Sequence, residues 1–246
     1  LNSYEILHED EDILVVNKIA PLPVLKDKSG DEDLQSMIRR DLPSCAAFLE
    51  AAHRIDRRTS GIVVFAKNPV ALKTLEEEFR GRKVHKTYIA CLEKEPVPKE
   101  GFLSHNILSD PKRNMSVAYV PGSAPERENP RIKGQNAVLA ELSYRLLMKT
   151  DRYFFVEAKP LTGRHHQIRA QFSTMGWPIK GDLKYGARRS SSSGRIMLHG
   201  WHIEFSHPGT HETLALTASF PTDETLWNVI ADFLSGNKAS AGDKIG

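Results

Sequence analysis

The chain of 246 residues has only two cysteines, Cys45 and Cys91. They form no spaced metal motif and no disulfide framework, so a reducing, cytoplasmic setting is expected and no disulfide is drawn. No apolar run is long enough to cross a bilayer and no leader-type N-terminus is present, so a soluble protein without a membrane partner is expected. Neither "GxxxxGK[ST]" nor "GxGxxG" occurs, which leaves nucleotide-dependent chemistry without a phosphate cradle. A glycosidase needs two carboxylates about one bond, and no second acid stands out in a setting like that of Asp56. There is no internal repeat. Net charge is only +3, a weak signal by itself, but Arg and Lys gather at 54–58, 80–86 and 180–195 while acids crowd the start, so a basic face is expected.

What is present reads as alternating strands and short helices in irregular order. "ILVVNK" (13–18) and "GIVVFAK" (61–67) are buried strands. "DEDLQSMIRRDL" spaces Leu34, Met37 and Ile38 as a helix does, with acids at its start and arginines near its end. "NPVALKTLEEEFRG" is the clearest helix, with Asn68 as N-cap, Pro69 in first position and Gly81 just past the end. "VHKTYIACLE" is strand-like, and 94–135 reads as an insertion with one short strand near "SVAYV". "NAVLAELSYRLL" and "RYFFVEAK" form an antiparallel pair. "RHHQIRAQFSTMG" places Ile168, Phe172 and Met175 on one helical face, and two more strands precede a last helix carrying Leu226, Ile230 and Phe233. The fold class is therefore α+β: a mixed, largely antiparallel sheet flanked by helices and loops around a central cleft. One domain from 5 to 236 is expected, with a disordered tail at 237–246.

Two constellations carry chemistry. In "HRIDRRTSGIVVFAKN" (53–68), Asp56 stands among His53, Arg54, Arg57 and Arg58. Such an aspartate caps or pairs locally in most loops, or it is a nucleophile held beside cations that grip a phosphodiester backbone. Spacing alone does not choose. His165 and His166 are adjacent, and His199, His202, His207 and His211 lie close in sequence, but without a carboxylate signature they make only a weak zinc motif. No metal ligand is assigned.

The first constellation resembles the "HRLDxxTSG" motif of the RluA-type pseudouridine synthases. In order along the chain, "VHKTYIA" resembles that family's "KxYxA" strand, "PLTGRHHQIRAQF" its "TGRTHQIR" helix start, and "PIKGDLKYG" its "GDxxYG" turn. "ILVVNK" and "IMLHGWHIEFSHP" match weaker family stretches, so the likeness runs from about 5 to 220. It departs at His165, where the family usually has Thr, at "NKIAPLPV" with Ile19 and Pro21, and at Ile55 in place of Leu.

The resemblance implies an enzyme that isomerises specific uridines to pseudouridine in structured RNA, ribosomal or transfer RNA or both, with no cofactor. It places the catalytic aspartate at Asp56, the base-stacking tyrosine at Tyr88 and the paired arginine at Arg169, with Leu198 as an apolar wall of the uracil pocket. His53, Arg54, Arg57, Arg58, Thr59, Arg164, His166 and Gln167 are the implied substrate contacts. Uracil must detach, rotate and rejoin through C5 before it escapes, which demands a closed pocket, a flipped nucleotide and an aromatic surface to replace lost stacking. Asp56 has three chemical uses: attack at C1′, addition at C6, or removal of a sugar proton. A separate N-terminal RNA-binding module is not expected, because "YEILHEDEDILVVNK" already reads as the catalytic domain. Recognition then falls to its own surface, where Arg80, Arg82, Lys83, Lys86, Lys184, Arg188, Arg189 and Arg195 are candidates, in a monomer. The alternatives are a catalytically silent RNA-binding or RNA-folding protein and a zinc hydrolase built on the histidines.

Overall fold

A computed structural model describes residues 3–122, 136–191 and 193–236. The expected tail and residues 123–135 of the insertion lie outside the described residues. Among the described residues eleven strands form one sheet: β1 (Tyr4–Glu9), β2 (Ile13–Lys18), β3 (Glu50–Ala51), β4 (Ser60–Ala66), β5 (His85–Leu92), β6 (Glu100–Asp110), β7 (Met115–Tyr119), β8 (Val138–Lys149), β9 (Phe154–Pro160), β10 (Leu198–Ser206) and β11 (Thr213–Thr217). Their order is β1-β2-β4-β10-β5-β9-β8-β6-β7, with β3 on β4 and β11 on β10. Among the named pairs β4 with β10 is parallel, and the others are antiparallel. Among the described residues four helices accompany the sheet: α1 (Leu34–Asp41), α2 (Pro69–Arg80), α3 (Gln167–Thr174) and α4 (Thr225–Leu234).

The continuous apolar runs of β2 and β4 follow from burial on both faces. Ile13, Val15, Ile62 and Val64 pack with Ala71 and Leu75 of α2, while Leu14, Val16, Val63 and Phe65 point the other way, onto Leu34 and Ile38 of α1. The Asn68 cap works as the sequence suggests, its Oδ1 accepting from the Ala71 amide at 2.8 Å, and Asp33 Oδ1 likewise accepts from the Ser36 amide at 3.0 Å. The largest core joins β5, β9 and β10 to α3 and α4 through Ile89, Phe155, Phe172, Leu198, Trp227 and Ile230.

Two details differ from the sequence reading. The insertion holds a long strand, β6, besides the short one, because polar His105 faces inward at an alternating position and bonds Gln171 Nε2 at 3.2 Å. In α4 Trp227 and Ile230 are buried, while Phe233 is exposed, since Trp227 stacks on Phe220 with ring centroids 5.4 Å apart.

Candidate active site

The cleft is organised around residues 52–59, which join β3 to β4. Three groups pin this loop by its backbone. The Leu22 amide donates to the Arg57 carbonyl at 3.0 Å, the Ile196 amide to the Arg58 carbonyl at 3.1 Å, and Lys18 Nζ to the carbonyls of Leu22 and Arg57 at 2.8 and 3.3 Å. Lys18 has no exposed surface, and burial drops its pKa to about 7 although Asp56 nearby works in the opposite direction. The loop enters β4 through Gly61, at φ +118°, where any Cβ would lie 2.3 Å from the Gly200 carbonyl oxygen. Only glycine permits β4 and β10 to meet there.

Asp56 projects from this loop with about a fifth of its side chain exposed. Its Oδ2 accepts from Arg169 Nη1 at 2.9 Å. The opposite edge of the same guanidinium is held by Asp182, which accepts from Nε at 2.7 Å and from Nη2 at 2.9 Å. Arg169 and Asp182 are both buried. Burial alone would lower the arginine's pKa, but the hydrogen bonds and charges of Asp182 and Asp56 outweigh it and hold the guanidinium firmly protonated. Among the described residues no donor reaches Asp56 Oδ1, so one oxygen is fixed by the ion pair and the other is available for chemistry.

Tyr185 lies beneath this chain, with the Arg169 guanidinium carbon 4.8 Å from its ring centroid. Its hydroxyl accepts from the Ser116 amide at 2.7 Å and sits 2.9 Å from His166 Nδ1. His166 has a left-handed backbone, φ +53°, at the start of α3; its Nε2 lies 3.8 Å from Asp56 Oδ2 and its ring stacks on His165. Burial lowers the His166 pKa to about 3, against the opposing pull of Asp56, so the ring is neutral at physiological pH.

Tyr88 stands on β5 opposite Gly200 of β10 and Ala158 of β9, whose small side chains leave room for its ring. Burial raises its pKa, and the nearby Asp56 charge adds to the effect. This phenol is therefore a neutral, largely apolar ring. Two positions away on the same strand face, Lys86 lines a small crevice with Tyr88, His53 and Gly200. Its ammonium lies 5.8 Å from the Phe79 ring centroid, no carboxylate among the described residues pairs with it, and burial lowers its pKa.

The remaining sequence candidates divide by surroundings. Arg54 and Arg58 are exposed at the rim of the cleft, and Leu198 is buried at the start of β10. Arg57 turns away onto a neighbouring loop, where it bonds Ser29 and pairs with Asp31. His53 is half-buried against Phe79, and its Nε2 accepts from the Val64 amide at 3.2 Å. Thr59 is buried. Gln167 Oε1 accepts from Thr162 Oγ1 and the Arg164 amide, shaping the turn before α3, while Arg164 Nε donates to the Leu139 carbonyl at 3.2 Å. Sequence reasoning assigned no role to Lys18, Asp182 or Tyr185, although the last two lie within the quoted "GDLKYG" and a lysine closing the strand-like run "ILVVNK" was a signal.

Among the described residues one metal-like grouping occurs, away from the cleft, at His8, Asp10 and His207. His207 Nδ1 accepts from the amides of Gly209 and Thr210, which leaves the proton on Nε2, and that nitrogen faces Asp10 Oδ2 at 2.9 Å. Two histidines thus converge as donors on one carboxylate, a sufficient account of the cluster without an ion.

A carboxylate with one free oxygen, a buried arginine that fixes the other, and a neutral tyrosine on a central strand define a class of cleft suited to nucleophilic or base chemistry. The comparisons give that class its family. The family model described as RNA pseudouridylate synthase matches residues 12–174. The chain is 32% identical over 231 residues to the Vibrio vulnificus "Ribosomal large subunit pseudouridine synthase C", covering 92% of this chain and 68% of that one. It is 30% identical to the Salmonella typhi "Dual-specificity RNA pseudouridine synthase RluA", covering 87% and 93%. Among solved structures, "Human RNA Pseudouridylate Synthase Domain Containing 1" superposes with a TM-score of 0.70 at 25% identity, covering 98% of this chain and 97% of that one. "Human RNA Pseudouridylate Synthase Domain Containing 4", at 24% identity and TM-score 0.72, shares the fold over 95% and 92%. The chain belongs to the RNA pseudouridine synthase family of enzymes.

Proposed function

We propose that this enzyme converts particular uridines of a structured ribosomal or transfer RNA to pseudouridine, acting as a cytoplasmic monomer through the single unit 5–236, without a cofactor. Asp56 Oδ1 is the reacting atom, Arg169 fixes the carboxylate and Tyr88 stacks on the flipped base. Whichever atom Asp56 engages, the glycosidic bond breaks with its electron pair on uracil, the base turns, and C5 bonds to C1′ with loss of the C5 proton. An amide cannot supply that carboxylate's charge or basicity. Arg54, Arg58 and Lys86 grip the RNA backbone around the opening, where cations without carboxylate partners are suited to phosphate.

The observation that carries this reading is the Asp182–Arg169–Asp56 chain: a buried cation held by one buried acid, presenting a second acid with a free oxygen to the cleft. A silent RNA binder has no use for a carboxylate in a phosphate-facing groove, where it repels the ligand. Ribosomal RNA is favoured by the names of the relatives covered above, and the dual-specificity relative brings in transfer RNA. The test is pseudouridine mapping, by carbodiimide labelling and primer extension, in RNA from cells lacking this protein and from the same cells given wild type or Asp56→Ala. Loss of label at one or a few sites, restored by wild type alone, is expected and names the substrate. Unchanged label at every site, with the protein expressed and bound to RNA, would return Asp56 to a structural role.

A further inference from the structure

The Asp56 site holds a second donor that the aspartate mechanism does not use. Tyr185 receives a hydrogen bond from the Ser116 amide at 2.7 Å, so the phenol's own hydrogen is free to point at His166 Nδ1, 2.9 Å away. That makes Nδ1 the acceptor and leaves the ring's single proton on Nε2. Nε2 lies 3.8 Å from Asp56 Oδ2, beyond hydrogen-bond distance, and no other acceptor among the described residues receives its hydrogen. The ring cannot easily turn, because it is buried, stacked on His165 at 3.8 Å between centroids, and itself carried on a left-handed residue. The groups that face it are Asp56, His165, Arg169, Lys184 and Tyr185. In the free protein, then, an oriented N–H stands unused beside the reacting carboxylate.

An oriented, neutral donor without an acceptor is suited to an oxygen that gains charge during the reaction. Cleavage of the C1′–N1 bond supplies one: the electron pair passes to the uracil ring and spreads onto its carbonyl oxygens, and O2, on the carbon next to N1, lies nearest the sugar and Asp56. Building on the function proposed above, we infer that His166 is a further catalytic residue, whose Nε2–H donates a hydrogen bond to uracil O2 as the glycosidic bond breaks. No proton is transferred. The hydrogen bond strengthens as charge builds on O2 and relaxes when C5 bonds to C1′. Ser116 and Tyr185 are positioning residues, which act by fixing the tautomer.

The test uses the purified full chain and the RNA found by mapping, with turnover at saturating RNA measured separately from RNA affinity. His166→Leu is expected to lower kcat by about 10²–10³, the usual loss for one donor to a developing anion, while Kd for RNA stays within about threefold. His166→Gln, whose amide N–H reaches a similar distance, recovers at least about tenfold of that loss. Tyr185→Phe removes the donor that fixes the tautomer and is expected to lower kcat at unchanged RNA affinity in wild type but not in the His166→Leu background. On the substrate side, 2-thiouridine at the target, whose sulfur is a weaker acceptor, slows wild type but not His166→Leu any further. Turnover by His166→Leu within threefold of wild type overturns the inference, as does an equal 2-thio effect in both proteins. If His166→Leu does not fold, the same 2-thio comparison between wild type and His166→Gln decides: a smaller effect in His166→Gln supports the inference and an equal one overturns it. Failure of wild type to modify any uridine sinks the proposed function instead, so the two failures are distinct.

Discussion

Replacing Asp182 with alanine removes both acceptors along one edge of the Arg169 guanidinium. The two bonds measure 2.7 and 2.9 Å, and neither partner has access to bulk water, so nothing replaces the lost acceptors. Breaking a buried pair from one side costs about 3–5 kcal/mol, because a buried charge is left behind. Here Asp56 still accepts one bond from Nη1, which puts the expected loss at the lower end, about 3 kcal/mol. A domain of this size loses about 2–4 °C of Tm per kcal/mol, so the midpoint should fall by about 6–12 °C. Asp182→Asn, which keeps an acceptor but not the charge, should lose less. Pairing Asp182→Leu with Arg169→Met removes the stranded cation, so the double variant should be more stable than the sum of the single losses requires. Urea and thermal unfolding at pH 7 measure these differences, and kcat of the folded Asp182→Ala protein should drop about 10²-fold as Arg169 and Asp56 lose their alignment. A loss of less than 1 kcal/mol for Asp182→Ala, or strict additivity in the double variant, would refute the view that Asp182 exists to hold Arg169.

Three further outcomes follow from charges whose surroundings are unusual. The Lys18 pKa falls to about 7 on burial, so above that pH the unfolded chain binds a proton the folded chain does not, up to the lysine's ordinary value. The stability of wild type relative to Lys18→Met should therefore rise from pH 7 to about pH 10, and a constant difference in urea midpoint argues against a buried ammonium. Lys86→Met should weaken RNA binding and reduce the slope of log affinity against log salt by about 1, and an unaltered slope would mean that Lys86 meets no phosphate. The Asp10 carboxyl, which burial alone would raise, is held down at about 2 by the Ile13 and Asp12 amides together with His8 and His207. Its contribution is present above the ordinary aspartate value and lost as pH falls from about 4 to 2, so Asp10→Asn should flatten acid unfolding in that window. The difference should be about 1 kcal/mol after solvent screening, since the group is partly exposed.

The elements legible in the sequence were those whose local pattern and tertiary setting agree. β2 and β4 read as buried strands because both faces are covered, and α2 announces its start with Asn68 and Pro69 and its end with Gly81. β6 was concealed because its inward positions include His105, whose hydrogen bond comes from Gln171 on a helix 66 residues later. A polar side chain satisfied from a distance leaves no alternating apolar signature. The same reasoning explains Phe233: helical spacing marks a possible apolar face, but contact with Phe220 and His199 turns Trp227 inward instead.

The candidate-site residues divide on similar lines. The motif around Asp56 made that aspartate conspicuous, but its arginines do not share one setting. Arg57 is spent on Ser29 and Asp31, and Arg54 and Arg58 face solvent, so three neighbouring arginines have different surroundings. The cation that fixes Asp56 comes from 113 residues away, and the acid that fixes that cation lies on a turn 13 residues further on. That turn requires Gly181, at φ +87°, where a Cβ would lie 2.7 Å from the Arg195 carbonyl oxygen. A charge is tolerable in such an interior only with its partners already in place. The Lys18, Arg169 and Asp182 side chains are therefore readable as a network only once the sheet order has brought β2, α3 and the 181–186 turn around one loop.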